Sequence, residues 1–334
     1  MTPNPDPLSL IKNAVLQRQI GDSVTDVYRL FNGFYEGYPS LVLDRYGSTL
    51  VIFDHGIPGE STDLIHEAAG WVLNNFVDLD SALLKQRQHP EETAKNGILI
   101  AGESLPVSIM ESGVHYAIAL QMHQDASFYP DTRNLRQWLI EHMEGKRVLN
   151  TFAYTGSLGV AAGTGGAAEV VQTDLSGKFL EIARKSWELN ELDLIKCGIL
   201  PGDFFRVTGQ MRHQDRLFDC VILDPPFFST TAAGRVDLQE ETARLINKIR
   251  PLVTHEGWLV VINNALFLPG AAFMAELEKL CQSDYLSLAQ LIPIPPDVTG
   301  YTDTVVALPP ADPAPFNHPT KIAILRVTRK DKRK

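Results

Sequence analysis

The segment Asp224-Pro225-Pro226-Phe227 has the residue types that most clearly suggest chemistry, and it directly follows the apolar run 218–223. Two prolines after a buried strand fix the direction in which the chain leaves it and expose the preceding carbonyl groups. An acid, carbonyl acceptors and an aromatic ring can hold a planar base or amine, with Phe227 or Phe228 stacked on its face. The end of a strand tolerates two prolines but does not need the acid and the ring. We therefore predict that Asp224, Pro225, Pro226 and Phe227 form a catalytic acceptor site.

A second motif is the glycine-bearing turn at Asn150–Gly159, which lies between an apolar run and an expected helix over 157–163. Glycines in such a turn let the backbone approach a ligand closely at a helix N-terminus. Asp174 lies 24 positions after Asn150, near the spacing at which an acid binds the ribose hydroxyls of an adenosine nucleoside. A nicotinamide-binding Rossmann domain shares these features, although the pattern here is not GxGxxG. Glycines that serve only a turn and a helix cap are a further alternative.

Other polar residues stand at the ends of further predicted strands, where ligands bind in an open α/β sheet. Asp203 and the pair Asn263-Asn264 occupy such positions. The two asparagines offer donors and acceptors suited to the edge of a base, which predicts a catalytic role. Two asparagines at the end of a strand can also be simple turn formers, so both interpretations stay open.

The elements of the N-terminal part of the chain indicate a small α+β domain. Residues 8–20 indicate a short amphipathic helix, which strand-like runs follow. We expect a Gly/Tyr/Pro-rich bend at Gly33–Pro39, a hairpin turn at Tyr46-Gly47 and a turn at Lys95-Asn96-Gly97.

From about residue 132, helices and apolar strands alternate, which predicts an α/β fold with a doubly wound parallel sheet. Helices are expected at Thr132–Glu144, with Thr132 as N-cap, and at 237–252. Leu286–Ile294 and Lys321–Val327 indicate two strands, separated by a proline-rich stretch without a helix, that would form an antiparallel C-terminal edge hairpin. The predicted domains are an N-terminal helix and tail (1–24), a small α+β domain (25–122), the sheet domain (123–328) and a basic tail (329–334).

Length and composition favour two globular domains, since 334 residues is long for one domain and 44% of them are hydrophobic. The longest apolar runs are far shorter than a membrane span, and the N-terminus lacks the layout of a signal peptide. We therefore expect a cytoplasmic protein without a membrane partner. The three cysteines form no CxxC pair and the nine histidines show no ligand spacing, so we expect neither a disulfide framework nor a metal site.

The charge distribution is uneven. The formal net charge of −10 weighs against a protein that coats nucleic acid by charge alone. The last six residues, Arg329–Lys334, nevertheless carry five positive charges and one negative charge. This tail is either a solvated, frayed terminus or a segment that contacts phosphate groups.

Several of these segments together resemble class I S-adenosylmethionine-dependent methyltransferases, with a Rossmann-like sheet, that act on large-subunit ribosomal RNA. The core of the resemblance consists of Phe152–Gly159, Asp174-Leu175-Ser176, Asp203 and Asp224–Ser229. The match to the group containing the ribosomal RNA large-subunit methyltransferases I and K also includes Phe128–Arg133, Gly33–Tyr46 and Asn317-His318-Pro319. It covers about residues 20–328.

The resemblance implies S-adenosyl-L-methionine as the cofactor and gives roles to individual residues. It implies that the methionine end is surrounded by Asn150, Phe152, Tyr154, Thr155, Gly156 and Ser157. It implies that Asp174, in the segment Asp174-Leu175-Ser176, binds the ribose of the adenosine end. It also implies that Asp203 and Phe204 flank the adenine. Asp224 would lie beside the transferred methyl group, and Asp131 and Arg133 would close the pocket. Arg133 can also be an ordinary salt bridge at the start of a helix.

The chain departs from the group in three places. No PUA or THUMP module precedes residue 20, and Gln124–Ser127 stands where the group has Lys-Thr-Gly. The cytosine-C5 members carry a nucleophilic cysteine after the fifth strand, where this chain has Asn263-Asn264. The guanine-N7 member carries Asp-Pro-Pro-x-Phe-Ser and an Asn-Asn pair at the corresponding positions.

These differences favour nitrogen over carbon as the methylated atom. C5 methylation of a pyrimidine needs a thiolate that adds to C6. Cys220 is expected to pack inside the apolar strand before Asp224, and Cys197 and Cys281 lie on other segments. The N7 lone pair of guanine needs only alignment and exclusion of water, while an exocyclic amine needs acceptors for its N–H bonds.

The leading hypothesis is therefore a methyltransferase that acts on a base nitrogen, guanine N7, of ribosomal RNA, as a monomer or homodimer. A methyltransferase for a small molecule or a protein side chain is the first alternative, favoured by the acidic body and the absence of an RNA-docking module. A catalytically inactive member of the fold that binds RNA or a partner is the second.

Overall fold

The computed structural model describes residues 6–18, 25–231, 234–238 and 241–333, so the features predicted at 1–5, 19–24 and 334 lie outside the described residues. The chain divides into two compact units. The first is formed by Met1–Asp131 and Pro295–Pro309, and the second by Thr132–Ile294 and Pro310–Lys334. This division differs from the predicted domain ranges, because the first unit extends past residue 122 and includes a segment that the sequence assigned to the sheet domain.

The first unit is built around a five-stranded sheet with the order β1-β2-β3-β4-β5. Its elements in chain order are α1 (Pro7–Gln17), β1 (Val27–Asn32), α2 (Gly33–Glu36), β2 (Leu41–Tyr46), β3 (Thr49–Asp54), α3 (Thr62–Asn75), β4 (Ser81–Gln86), α4 (Glu92–Asn96), β5 (Ile98–Ala101), β6 (Ser108–Glu111) and β7 (Val114–Ala117). β3 and β4 run parallel, and the other neighbours in the sheet are antiparallel. α1 and α3 bury Ile11, Ile65 and Val72 against the sheet, which closes the core of this unit.

Local differences from prediction in the first unit occur where glycine ends a helical turn. The hairpin turn at Tyr46-Gly47 is confirmed, since β2 and β3 pair Tyr46 with Thr49. The expected bend at Gly33–Pro39 instead contains α2, which Gly37 ends with a φ of 96°. The expected turn at Lys95–Gly97 is the end of α4, and Gly97 has a φ of 123°. Glycine at positive φ is common both in turns and just after helices, so the sequence alone did not separate the two.

The second unit alternates strands and helices. Its elements are α5 (Arg133–His142), β8 (Arg147–Thr151), α6 (Ser157–Thr164), β9 (Glu169–Asp174), α7 (Gly177–Leu189), β10 (Cys197–Pro201), α8 (Phe204–His213), β11 (Phe218–Leu223), β12 (Phe228–Thr231), β13 (Gly234–Asp237), α9 (Thr242–Ile249), β14 (Val253–Asn263), α10 (Gly270–Cys281), β15 (Leu286–Ile292) and β16 (Lys321–Val327). Short 3-10 helices lie at Pro130–Thr132, Leu194–Lys196 and Arg250–Leu252.

The sheet of the second unit has seven strands in the order β10-β9-β8-β11-β14-β16-β15. The first five strands in this order are parallel, and β16 is antiparallel to both β14 and β15. The predicted doubly wound sheet with an antiparallel C-terminal edge is therefore confirmed. Its parallel strands read as continuous apolar runs because both of their faces are buried, as in Val221–Leu223.

Two predicted helical features of the second unit are corrected. Thr132 occupies the N-cap position of α5, but its hydroxyl accepts a hydrogen bond from Arg136 Nη1 at 2.7 Å and caps no backbone N–H group. The helix predicted at 237–252 begins only at Thr242 and ends at Ile249. Asp237, the first residue of the predicted helix, instead ends β13, which pairs with β12 and contains the β-branched Val236, and residues 239–240 lie outside the described part of the chain.

The proline-rich stretch after β15 contains the one-turn helix α11 (Pro296–Thr299), where no helix was expected. Proline is well suited to the first turn of a helix, because the N–H group it lacks has no helical partner there. This segment belongs to the first unit. Asp297 Oδ2 accepts from the Arg29 N–H group at 3.0 Å, and Asn32 Nδ2 donates to the Val298 carbonyl at 2.8 Å.

The first unit contains a buried ion pair between Arg18 and Glu36. The Arg18 Nη1 and Glu36 Oε1 atoms are 2.8 Å apart, and the side chains are 0% and 1% exposed. Glu36 also accepts from the Asn32 N–H group at 2.7 Å and from the Thr304 hydroxyl. Arg18 donates further to the Asp297 carbonyl at 3.2 Å. Two charges are tolerated here because nearly every donor and acceptor around them has a partner.

The C-terminal tail is docked rather than frayed over its described part. Arg329 Nη1 donates to the Pro251 and Val253 carbonyls at 2.7 and 2.9 Å, and the Arg333 carbonyl accepts from the His255 N–H group at 2.7 Å. Asp331 forms ion pairs with both arginines. Among the described residues, no helix is long and apolar enough to cross a lipid bilayer.

Replacing Glu36 with glutamine should destabilise the first unit by about 3 kcal/mol, because Arg18 would keep its charge without a buried counter-charge. Urea unfolding of E36Q and of the wild type measures the difference. E92Q is the matched control in the same unit, since Glu92 pairs with Lys95 at 3.3 Å on the surface with a side chain that is 78% exposed. Its unfolding midpoint should not move. Equal midpoints for E36Q and the wild type would contradict the role of this pair.

Candidate functional site

The candidate site lies where the strand order of the second unit reverses. β8 and β11 are parallel neighbours, with Thr151 beside Leu223, although β9 and β10 lie between them in the sequence. The Thr151 hydroxyl donates to the Ile222 carbonyl at 2.6 Å, which ties the two strand ends together. The structure thus brings the turn after β8 and the segment after β11 to one edge of the sheet, where open α/β sheets bind ligands.

The turn after β8 has an unusual backbone. Phe152 and Tyr154 have φ values of 53° and 50°, in the left-handed region that residues other than glycine rarely adopt. Gly156 follows with a φ of 79°. The Ala153 N–H group donates to the Thr173 carbonyl at 2.9 Å, and the Gly156 N–H group to the Ala153 carbonyl at 2.7 Å. Strain of this kind persists only where the surroundings fix it, and it is common at ligand sites.

Close packing explains why position 156 is glycine. A Cβ atom there would lie 2.3 Å from the Ala183 Cβ atom and 2.6 Å from Gln172 Oε1. The backbone of this turn therefore lies directly on α7 and β9. Thr155 is buried, and Ser157 is half-buried as the first residue of α6.

Asp174 holds the turn from the end of β9. Its Oδ2 atom accepts from the Tyr154 N–H group and its Oδ1 atom from the Ser176 N–H group, both at 2.9 Å. Two backbone donors orient the half-buried carboxylate. Leu175, which follows it, is 65% exposed. Asp174 thus lies next to the turn, and its predicted contact with the ribose hydroxyls stays a prediction.

Three buried polar atoms beneath the turn have no hydrogen-bond partner within the part of the chain that the structure describes. They are Asn150 Oδ1, Gln172 Nε2 and Thr173 Oγ1. Asn150 Nδ2 donates to Gln172 Oε1 at 3.3 Å, which links the ends of β8 and β9. Buried polar groups without partners are costly.

Aromatic rings line the next part of this edge. Phe152 stacks on Phe204 with ring centroids 4.6 Å apart, and Phe204 meets Phe205 edge to face at 5.1 Å. Phe204 is 6% exposed and belongs to the core of the unit. Asp203 caps α8, since its Oδ1 atom accepts from the Phe205 and Arg206 N–H groups at 2.9 and 3.1 Å. Phe152 and Asp203 are half-buried, so they are more accessible to a ligand than the buried Phe204.

The two residues predicted to close the pocket lie on either side of the division between the units. Asp131 is half-buried in the first unit, and Arg133 is half-buried as the first residue of α5 in the second. Burial disfavours the charged form of Arg29, but the nearby Asp44 and, more weakly, Asp131 raise the pKa of that guanidinium. The contacts of Asp131 and Arg133 with the cofactor stay predictions.

The acceptor motif leaves β11 with its ring exposed. Asp224 is half-buried, Pro225 is buried and Pro226 is exposed, while Phe227 is 47% exposed. The Phe227 carbonyl accepts from the Leu238 N–H group at 3.1 Å, which anchors the return of the β12–β13 hairpin. An acid and an exposed aromatic ring therefore follow β11 where it lies beside the end of β8, and their catalytic role stays a prediction.

Asn263 does not have the environment that its predicted contact with a base requires. Its side chain is 0% exposed, and Nδ2 donates to the Leu238 carbonyl at 3.1 Å and to the Thr242 hydroxyl at 3.2 Å. Oδ1 accepts from the Ala265 N–H group at 3.0 Å. All of its hydrogen-bonding groups are engaged, so the catalytic prediction for Asn263 is wrong and its role is structural. Asn264 is exposed.

Lys321 supports the same loop and was missed by sequence reasoning. It pairs with Asn263 across β14 and β16, is 0% exposed, and donates from Nζ to the Ala265 carbonyl at 3.0 Å and to the Pro319 carbonyl. Burial lowers the pKa of this ammonium group to about 8. A lysine at the start of an apolar strand looks like a solvated strand end in sequence, so its burial could not have been found there.

The cysteines offer no activated thiol. Cys220 is 0% exposed inside β11, and burial raises its pKa strongly. Burial also raises the pKa of Cys197 to about 11 and that of Cys281 above its usual range. Thiols with raised pKa values stay protonated and are poor nucleophiles. Among the described residues, no group of three or more metal-ligating side chains comes together.

Comparison with known proteins gives this geometry a context. The model of a family described as S-adenosylmethionine-dependent methyltransferase matches residues 66–303. The chain is 37% identical over 214 residues to ribosomal RNA large subunit methyltransferase I of Aeromonas hydrophila, covering 62% of this chain and 53% of that protein. It is 33% identical over 208 residues to the protein of the same name from Escherichia coli, covering 61% and 52%. The chain thus spans about half the length of these curated relatives.

Solved structures share the fold over nearly the whole chain. The crystal structure of SMU.776 complexed with SAH superposes with a TM-score of 0.83 at 22% identity, covering 96% of this chain and 80% of that one. A SAM-dependent methyltransferase from Agrobacterium tumefaciens gives a TM-score of 0.62 at 17% identity, covering 91% of each chain. At these identities the likeness establishes the fold alone.

Replacing Asp174 with alanine should weaken binding of S-adenosylhomocysteine at least tenfold, because the variant loses a charged acceptor and releases the Tyr154 and Ser176 N–H groups. Isothermal titration calorimetry measures this affinity. D193A is the control, since Asp193 accepts in the same way from the Ile195 N–H group at 2.9 Å on an exposed turn. Unchanged affinity in D174A would contradict the site.

Lys321 should make the stability of the second unit depend on pH. Its folded pKa of about 8 lies below the usual 10.5, so the unfolded chain binds more protons between these values and the free energy of unfolding rises with pH. Urea unfolding at pH 8 and pH 10 should therefore show a larger gain for the wild type than for K321M. Tyrosine and cysteine ionisation is common to both proteins and cancels. Equal gains would exclude the lowered pKa.

Proposed function

The chain belongs to the family of S-adenosylmethionine-dependent methyltransferases, and from this premise we propose that it transfers a methyl group to a base nitrogen, guanine N7, of ribosomal RNA. The observation that carries the proposal is the position of Asp224-Pro225-Pro226-Phe227 beside the turn after β8, at an edge without an activated thiol. The names of the curated relatives support ribosomal RNA as the acceptor.

The residues beneath and around the turn after β8 fit the cofactor. The unpartnered Asn150 Oδ1 atom offers an acceptor to its methionine end, and the first turn of α6, which follows Gly156 and has no side-chain cap, offers N–H groups at a helix N-terminus. The oriented carboxylate of Asp174 suits the ribose hydroxyls, and Phe152 with the capping residue Asp203 suits the adenine. S-adenosylmethionine, when bound, supplies a methyl group on a positively charged sulfur that is open to attack by an electron pair.

Nitrogen is the better acceptor for this site on chemical grounds. Attack by C5 of a pyrimidine requires a thiolate that adds to the ring, and the three cysteines are buried or hold raised pKa values. The N7 atom of guanine already has a lone pair in the ring plane. No residue has to remove a proton from it before attack, so orientation and exclusion of water suffice.

The acceptor residues can supply that orientation. The Asp224 carboxylate and the Pro225 carbonyl accept N–H groups of a base, and the exposed ring of Phe227 stacks on its face. The two prolines hold these groups in a fixed direction because the φ angle of each is set by its ring. The buried Asn263 contributes by holding Leu238, whose N–H group binds the Phe227 carbonyl.

Mass spectrometry of nucleosides from large-subunit ribosomal RNA tests the proposal in a strain that lacks this protein. We expect 7-methylguanosine to be lost from one position and to be restored by the purified protein with S-adenosylmethionine. A strain that loses no methyl group from any RNA would overturn the RNA proposal and favour a small-molecule or protein acceptor. Loss of a methylated base other than 7-methylguanosine would overturn only the choice of atom.

The D224A variant tests the acceptor motif in the same assay. We expect it to methylate the RNA of the deletion strain about a hundredfold more slowly than the wild type, because an oriented acceptor next to the reacting group is lost. D215A is the control, since Asp215 pairs with Arg333 at 3.1 Å near the described end of the chain and its side chain is 77% exposed. Wild-type rates for D224A would exclude a catalytic role for this acid.

A further inference from the structure

The hairpin β12–β13 begins at the residue after the acceptor motif and carries an exposed aromatic ring. Phe228 is 57% exposed although it lies on a strand that is held by hydrogen bonds. It is four residues from Asp224, so their Cα atoms lie within about 14 Å of each other. A large ring that stays exposed on a paired strand, four residues from the acceptor acid, is available for contact with a ligand.

The register of the hairpin separates its two faces. Thr230 pairs with Arg235 and Phe228 with Asp237, and directly opposed residues point to the same side of a two-stranded ribbon. These four side chains therefore share one face, on which Phe228, Thr230 and Arg235 are exposed. Val236 points to the other side and is 3% exposed in the core of the unit.

Charge accompanies the ring on this face. The Arg235 guanidinium lies over the Phe228 ring at 5.5 Å from its centroid, and its side chain is 48% exposed. An ion pair with Asp237 fixes the orientation of this guanidinium. An aromatic face next to a guanidinium is the pairing that single-stranded nucleic acid uses, with a base on the ring and a phosphate near the charge.

The hairpin is mounted firmly on the rest of the site. A Cβ atom at Gly234 would lie 2.5 Å from the Phe205 ring, so the hairpin backbone packs directly against the aromatic residues next to Phe152 and Phe204. At its other end, the Leu238 N–H group binds the Phe227 carbonyl. These two contacts connect the hairpin that carries Phe228 and Arg235 to α8 and to the segment that follows Asp224.

We propose that Phe228 and Arg235 form a binding platform for the single-stranded RNA next to the methylated nucleotide, with a base stacked on Phe228 and a phosphate at Arg235. This proposal rests on the proposed function and deepens it. It identifies the acceptor as an unpaired segment, because a base in a duplex has no open face to offer to the ring. The platform binds the flanking strand, while Asp224 and Phe227 hold the reacting base.

The test measures binding of short random-sequence single-stranded RNA by fluorescence anisotropy, and KM and kcat with ribosomal RNA from the deletion strain. F228L keeps the apolar bulk but removes the aromatic face, and we expect it to raise Kd and KM about tenfold while kcat stays within about twofold. F228Y keeps the face and should behave as the wild type. Y285L is the control, because Tyr285 is another aromatic ring next to an arginine. The Arg250 guanidinium lies 4.7 Å from the centroid of its ring, just before β15.

The R235Q variant gives a second readout that a loss of packing would not produce. It should lower the slope of log Kd against log salt concentration by about 0.7, the contribution of one phosphate contact with a single strand, and R235K should restore it. Duplex RNA should not respond to either substitution at position 228.

The outcomes separate this proposal from the proposed function. If the wild type methylates ribosomal RNA but F228L binds and reacts equally well, the platform is wrong and the function stands. Equal losses in F228L and F228Y would also overturn it, since they would indicate packing instead of stacking. If the wild type methylates no RNA, the proposed function is wrong. In that case, tight binding of single-stranded RNA by the wild type and weak binding by F228L would still support the platform. If neither protein binds single-stranded RNA, the platform is wrong as well.

Discussion

The reversal of strand order between β8 and β11 is the constraint on which the candidate site depends. The chain builds β9 and β10 outward on one side of β8 and then returns to its other side. The segments that leave β8 and β11 therefore diverge and cannot cover each other's strand ends, which leaves room for a ligand. The strained turn, the acid at position 174 and the acceptor motif all lie at this edge. They lie far apart in sequence and come together only because the strands do.

The sequence predicted those parts of the fold that are encoded locally. A continuous apolar run is enough to define a doubly buried strand, and the bounds of β11 and β16 match the predicted runs. The positions of Asn150, Asp174 and Asp224 followed from the general rule that ligands bind at strand ends. The family resemblance to S-adenosylmethionine-dependent methyltransferases is confirmed by the family model.

The features that sequence reasoning missed depend on partners remote in the chain. Asn263 resembles a base-reading amide in sequence, but its donors bind Leu238 and Thr242, more than 20 positions earlier. Nothing near Asn263 reveals these partners. The β12–β13 hairpin was likewise missed because it is short and, among its described side chains, only Val236 is buried, so it carries little periodic signal. Burial of polar residues is a property of the tertiary fold, and local patterns do not contain it.

The division of the first unit between two distant segments has a consequence for biosynthesis. Glu36 accepts a hydrogen bond from the Thr304 hydroxyl, and Arg18 donates one to the Asp297 carbonyl. Thr304 and Asp297 leave the ribosome only after the parallel strands of the second unit. At translation rates of about 5–20 residues per second, the interval between residues 131 and 304 lasts on the order of ten to thirty seconds. During that time Arg18 and Glu36 lack two of the groups that they bind in the complete fold. Folding of the first unit therefore cannot be completed until its second segment, Pro295–Pro309, has been synthesised, although most of the unit is synthesised first.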